Sequence, residues 1–191
     1  MKSLILGIIA LTFISGFNLA SAEENTPEFP SIIDLDPRVE RELKCLAQNV
    51  YHEAGSESFN GKVAVAMVTI NRASDGRFPG SICGVVKQKT HWRGSTVCQF
   101  SWFCSPKAHQ APPVESSNYQ ESLSAARKVL LEGFSISNLE NALYFHARHV
   151  SPDWGKTIVA RIGNHVFYSD QKSVRKIKKV EHKHVRKSKK H

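Results

Sequence analysis

Residues 36–71, DPRVERELKCLAQNVYHEAGSESFNGKVAVAMVTIN, contain two apolar segments that set the fold class. Asp36 followed by Pro37 is an N-cap with proline at the first helical position, where a missing N–H costs nothing. Leu43, Leu46, Ala47, Val50 and Ala54 then recur at helical spacing, and Gly55-Ser56 ends the helix. At 100° per residue Glu53 falls about 20° from Leu46, on the margin of the apolar stripe and in the last turn, so its carboxylate is expected to be partly buried. The second segment, residues 62–71, is apolar on every face. Periodicity admits either a central helix or a buried strand, and the alanines with Met67 favour a helix, capped by Asn60. As a hairpin partner of the first helix it places Glu53 and Glu57 at the connecting turn.

Downstream, Phe78-Pro79-Gly80 breaks the chain, and a short helix is expected within residues 81–88. Residues 89–114 read as an irregular loop rich in aromatic and polar side chains, a kind of segment that in compact domains is often functional. Asn118 with Glu121 resembles a capping box, and Tyr119, Leu123, Ala126 and Leu130 continue a helix toward Gly133. Residues 142–147 read as a strand, and residues 157–162 and 165–169 as a β-hairpin turning on Gly163-Asn164. Helices followed by a small C-terminal sheet predict a mainly helical α+β domain.

The 191-residue chain carries a formal charge of +9, with 41% hydrophobic residues, enough to form a core. The charge is uneven. Residues 172–191 hold ten basic residues and one acid, whereas residues 23–171 hold 15 basic and 16 acidic. No nucleic-acid groove is therefore expected in the body. The tail reads as solvated and disordered, with retention on an anionic envelope surface as its functional alternative. Lys2, the apolar run from Leu4 to Ala20 and the small-x-small pattern Ala20-Ser21-Ala22 predict a signal peptide over residues 1–22, cleaved after Ala22, and hence a periplasmic or secreted protein. Residues 23–36 form a spacer and residues 37–171 the folded domain. Cys45, Cys83, Cys98 and Cys104 are an even set in an oxidising compartment, which favours disulfides over zinc among three possible connectivities. At least one bridge is expected, involving Cys98 or Cys104.

Several catalytic templates fail. His52-Glu53 is followed by Ser56 where a zincin needs histidine, and G-x-S-x-G, P-loop and G-x-G-x-x-G patterns are missing. Glu53 remains, an acid at the end of an apolar helix beside a second acid, Glu57. Desolvation raises a carboxyl pKa and keeps it protonated, as a general acid in glycosidic cleavage requires.

Residues 45–88 resemble the catalytic domain of SleB-like cell wall hydrolases, the spore-cortex-lytic type. The shared features are an aromatic-x-Glu turn, a glycine, an Ala/Val-rich helix ending Asn71-Arg72, and Phe78-Pro79. Cys98-Gln99-Phe100-Ser101-Trp102-Phe103-Cys104 is similar to a block of the proteobacterial and phage members. Tyr144-Phe145-His146-Ala147, Pro152-x-Trp154 and residues 162–168 are similar to the closing blocks, in order. The resemblance implies a lysozyme-like or lytic-transglycosylase-like fold, peptidoglycan as substrate, and Glu53 as catalytic acid. The turn reads Glu53-Ala54-Gly55-Ser56-Glu57 and lacks the family's arginine.

Standard glycosidases need two carboxylates, whereas a lytic transglycosylase manages with one, which protonates the leaving oxygen and then accepts the proton of the muramic 6-hydroxyl as an anhydro ring closes. One-acid chemistry is favoured over muramidase hydrolysis, with no metal or cofactor. Glu57, Gln99, Ser101, Tyr144 and His146 are the expected substrate-binding residues, and Trp102 and Trp154 are candidates for stacking on sugars. The rivals are a zinc-dependent wall amidase or peptidase using His52, His146 or His149, and an inactive wall-binding protein.

Overall fold

The computed structural model describes residues 35–106 and 112–170. The expected signal peptide, nearly all of the expected spacer and the basic C-terminal residues lie outside them. Helices α1 (Pro37–Ala54), α2 (Phe59–Ala73) and α3 (Ile82–Val86) come first. A hairpin of β1 (Lys89–Trp92) and β2 (Ser95–Cys98) and a 3₁₀ turn at Ser101–Cys104 follow, then α4 (Ser117–Leu130) and strands β3 (Ala142–Ala147), β4 (Thr157–Ile162) and β5 (His165–Ser169).

The side chain of Asp36 accepts the N–H of Arg38 at 2.7 Å, so α1 starts where the Asp-Pro pair places it. The expected cap of α2 is corrected from Asn60 to Ser58, whose hydroxyl accepts from Gly61. The apolar run begins after the helix does, because Phe59 and Asn60 are exposed first-turn residues. The cap of α4 is likewise Ser116, which accepts from Tyr119, and not Asn118.

Helix α2 is buried on all sides from Gly61 to Thr69 because α1, α3, α4 and β3 enclose it. Leu43, Leu46 and Val50 of α1, Val63, Val65 and Val68 of α2, Ala125 and Ala126 of α4, and Phe167 of β5 are sealed from solvent in one core. Burying a Leu or Val side chain is worth about 1.5–3 kcal/mol. The small alanines let α4 approach α1 closely, and this α1–α4 packing is a contact that the two-helix hairpin reading did not include.

The three-stranded sheet is antiparallel with order β3-β5-β4. Gly163, at φ +55°, takes the first position of the β4–β5 turn, a backbone that favours glycine in two-residue hairpins. Asn71 Nδ2 donates to the carbonyls of Leu139 and Ala142 at 2.7 and 2.9 Å, and Arg72 Nε donates to that of Leu143 at 2.7 Å. The Asn-Arg end of α2 thus fixes where the sheet begins.

Disulfides join Cys45 to Cys83 and Cys98 to Cys104. The first ties α1 to α3, and the second closes the segment that carries Gln99 and Ser101. Residues 89–98 are not an irregular loop. They form a hairpin turning on Arg93 and Gly94, at φ 47° and 77°.

Candidate active site

Glu53 occupies the last turn of α1, where the apolar stripe runs out against the 3₁₀ turn and the sheet. It lines a cleft of about 330 Å³ together with Arg72, Cys98, Gln99, Phe100, Ser101, Tyr144, Phe145 and Trp154. Burial pushes its carboxyl from 4.5 up to about 7, with the charge of Arg72 pulling in the opposite direction. Near neutral pH the group therefore exists in both forms, as a residue that gives and then takes a proton needs. Glu53 is the one carboxylate among the described residues that line this cleft.

Arg72 is the site residue that the sequence reading missed. Only 4% exposed, it lies 5.2–6.0 Å from the centres of the Phe78, Phe100 and Phe145 rings. Its Nη1 is buried without a hydrogen-bond partner, and burial lowers its pKa to about 10. A guanidinium is thus present beside the acid although the turn lacks the family arginine. The available signal was a cationic residue inside an otherwise apolar helix, which must face either solvent or a polar site.

Lys62 was the other such signal. It is 1% exposed, and its Nζ donates to the carbonyls of Gly55 and Glu57 at 3.0 and 2.7 Å and pairs with Glu121 at 3.0 Å. It therefore staples the turn directly after Glu53 to α2 and α4.

Of the expected binding residues, Gln99, Ser101 and Tyr144 line the cleft with Glu53. Glu57 does not line it. Its carboxylate accepts from the backbone N and the Nδ2 of Asn164 at 2.9 and 3.0 Å. His146 lies beside the cleft. Its Nδ1–H donates to the Ala147 carbonyl at 2.8 Å, which leaves Nε2 to accept the Tyr168 hydroxyl at 2.6 Å. With Tyr144 and Tyr168 it surrounds Trp154, at ring-centre distances of 5.4–6.3 Å. Trp154 is partly exposed in the cleft. Trp102 instead stacks on His52 at 4.2 Å and donates through Nε1 to Asn49, whose Nδ2 donates to Thr69. Burial lowers the pKa of His52.

Comparison with known proteins matches residues 56–168 to the family described as Cell Wall Hydrolase, a stretch that starts just after Glu53. A spore cortex-lytic enzyme of Bacillus subtilis is 29% identical over 130 residues, covering 66% of this chain and 37% of that protein. Another, of Oceanobacillus iheyensis, is 26% identical over 159 residues, covering 80% and 50%. The chain thus spans half or less of these relatives' length. Among solved structures, the catalytic domain of the Bacillus cereus SleB protein matches with a TM-score of 0.50 at 22% identity, covering 78% of this chain and 99% of that one. The catalytic domain of the germination-specific lytic transglycosylase SleB from Bacillus anthracis matches with 0.51 at 22%, covering 74% and 100%. These likenesses bear out the expected α+β, lysozyme-like fold.

Proposed function

From the premise that this chain belongs to the cell wall hydrolase family, we propose that it cleaves the glycan strands of peptidoglycan with Glu53 as its single general acid and base. The observation that carries this is the one-carboxylate cleft: an acid raised to about 7 by burial, with no second carboxylate among the described residues lining the space where a sugar would sit. Both inverting and retaining glycosidases place a second carboxylate across the scissile bond, roughly 5–9.5 Å from the first. A cleft with one acid favours transglycosylation over hydrolysis.

Protonated Glu53 donates to the leaving glycosidic oxygen. The resulting carboxylate, stabilised by the positive charge of Arg72, then takes the proton of the muramic 6-hydroxyl as that oxygen closes on the anomeric carbon. Gln99 and Ser101 offer hydrogen bonds to sugar hydroxyls and acetamido groups, and Trp154 offers a ring face. The export signal and the basic tail fit a wall substrate: the signal would deliver the enzyme to the periplasm or beyond, and the tail would hold it near anionic envelope surfaces.

Digestion of purified sacculi followed by mass spectrometry of the products tests the proposal. Anhydro-muramyl ends are expected from the parent chain and none from Glu53→Gln. Reducing ends would mean muramidase hydrolysis, freed peptide stems an amidase or peptidase, and intact wall a binding protein.

A further inference from the structure

The β1–β2 hairpin has two unlike faces. The register pairs Lys89 with Cys98, Thr90 with Val97, His91 with Thr96 and Trp92 with Ser95. Alternation puts Lys89, His91, Thr96 and Cys98 on one face and Thr90, Trp92, Ser95 and Val97 on the other. The first face is tethered to the body: Cys98 is bonded to Cys104, and the Lys89 ammonium lies 5.2 Å from the centre of the Phe103 ring. Among the described residues, nothing from the body packs on the second face. Trp92 is 66% exposed and Val97 48%, and the Arg93 guanidinium sits 5.6 Å from the Trp92 ring.

Trp92 and Val97 together form a small exposed apolar patch that the core does not use, and such a patch suits a partner. The charge around it selects the partner's sign. From residue 76 to residue 114 the sequence holds no aspartate or glutamate, while Lys87, Lys89 and Arg93 are clustered on and beside the hairpin. Position selects the class. Strand β2 ends in Cys98, which lines the cleft, and runs on into Gln99 and Ser101. The hairpin is therefore joined directly to the segment that forms one side of the cleft.

We propose that the Thr90-Trp92-Ser95-Val97 face is a distal subsite for the peptidoglycan strand, with Trp92 stacking on a sugar ring and Arg93 pairing with a carboxylate of a peptide stem. The subsite rests on the wall-glycan reading of the cleft. A tryptophan face contacts the C–H groups of a pyranose, the flanking threonine and serine hydroxyls meet its hydroxyls, and the guanidinium forks onto a carboxylate.

The test is cosedimentation of the full chain with lipid-free sacculi, in a Glu53→Gln background so that the wall is not consumed. Trp92→Ser should weaken binding about five- to tenfold, and the loss should persist in 1 M salt, where the Debye length of about 3 Å suppresses attraction by the tail. Arg93→Ser should weaken binding to sacculi carrying stems but not to sacculi stripped of them by amidase. In the active chain, Trp92→Ser should raise KM on sacculi while leaving turnover of a short soluble muropeptide unchanged. Because these side chains are exposed, an unchanged Tm is expected and checks the fold. Equal binding of Trp92→Ser and its parent overturns the subsite. Loss confined to phosphatidylglycerol vesicles, with sacculus binding intact, overturns it in favour of a membrane contact. If the parent chain cleaves no glycan yet its sacculus binding depends on Trp92, the cleavage proposal fails and the subsite stands.

Discussion

Glu57 and Asn164, 107 positions apart, are joined by a two-pronged hydrogen bond: both carboxylate oxygens of the glutamate are occupied, one by the backbone N–H and one by the side-chain amide of the asparagine. The turn after α1 is thereby clamped to the tip of the β4–β5 hairpin. A side chain at Gly163 would collide with the same carboxylate. Glu57→Gln can satisfy only one of the two donors, so a stability loss of about 1–2 kcal/mol is expected, with most of the glycan-cleaving rate kept. Urea unfolding alongside a turnover assay checks this. A rate loss as deep as that of Glu53→Gln would return Glu57 to the chemistry.

In the proposed reaction Glu53 starts protonated, and its carboxyl lies at about 7, so kcat/KM on glycan should be level in mild acid and fall as pH rises through about 7. Removing the Arg72 charge removes the influence that holds this value down. Arg72→Met should therefore move the alkaline limb to higher pH, and Arg72→Lys should leave it near the parent position. A pH–rate series on the three proteins reads the order directly.

The same carboxyl makes a signed prediction for stability. Its folded pKa lies above its ordinary 4.5, so the folded state holds the proton more tightly and loses stability as pH rises from about 4.5 through about 7. Glu53→Gln should be neutral at pH 4 and more stable than the parent at pH 8, by up to about 3 kcal/mol. Denaturant midpoints at the two pH values measure the difference. Equal gains at both would mean that the effect is not ionisation.

The two disulfides should separate under mutation. Cys45–Cys83 closes a loop with a sequence separation of 38, and loop entropy gives it about 4 kcal/mol. Cys98–Cys104, with a separation of 6, gives about 2 kcal/mol. The small loop, however, carries Gln99 and Ser101 into the cleft. Replacing Cys45 and Cys83 by alanine should lower Tm more, and replacing Cys98 and Cys104 should lower activity more. Calorimetry and sacculus digestion on the two double variants decide it.

The parts of this fold that are written in local chemistry could be read from the chain. Asp36-Pro37, the stripe through Leu43 and Val50, and Gly163-Asn164 each specify their element within a few residues. The β1–β2 hairpin was hidden because neither of its faces is buried, so no apolar alternation marks it; its one signal was the glycine of Arg93-Gly94. Glu53 was legible from its place at the edge of an apolar stripe. Arg72 and Lys62 were not, because whether a cation inside an apolar helix is buried depends on which carbonyls and rings distant segments bring to it. For Arg72 these are Leu143, Phe100 and Phe145, and for Lys62 the turn carbonyls and Glu121.

The burial of Lys62 gives this protein a built-in reporter. Every other described lysine has some solvent access, while this one is sealed beneath the turn that holds the acid. An amine-acylating reagent should modify the others quickly and reach Lys62 only when that turn detaches, so its labelling rate counts local openings. Read by peptide mass spectrometry, a single amine would report how often the corner beside Glu53 comes apart while the rest of the molecule stays folded.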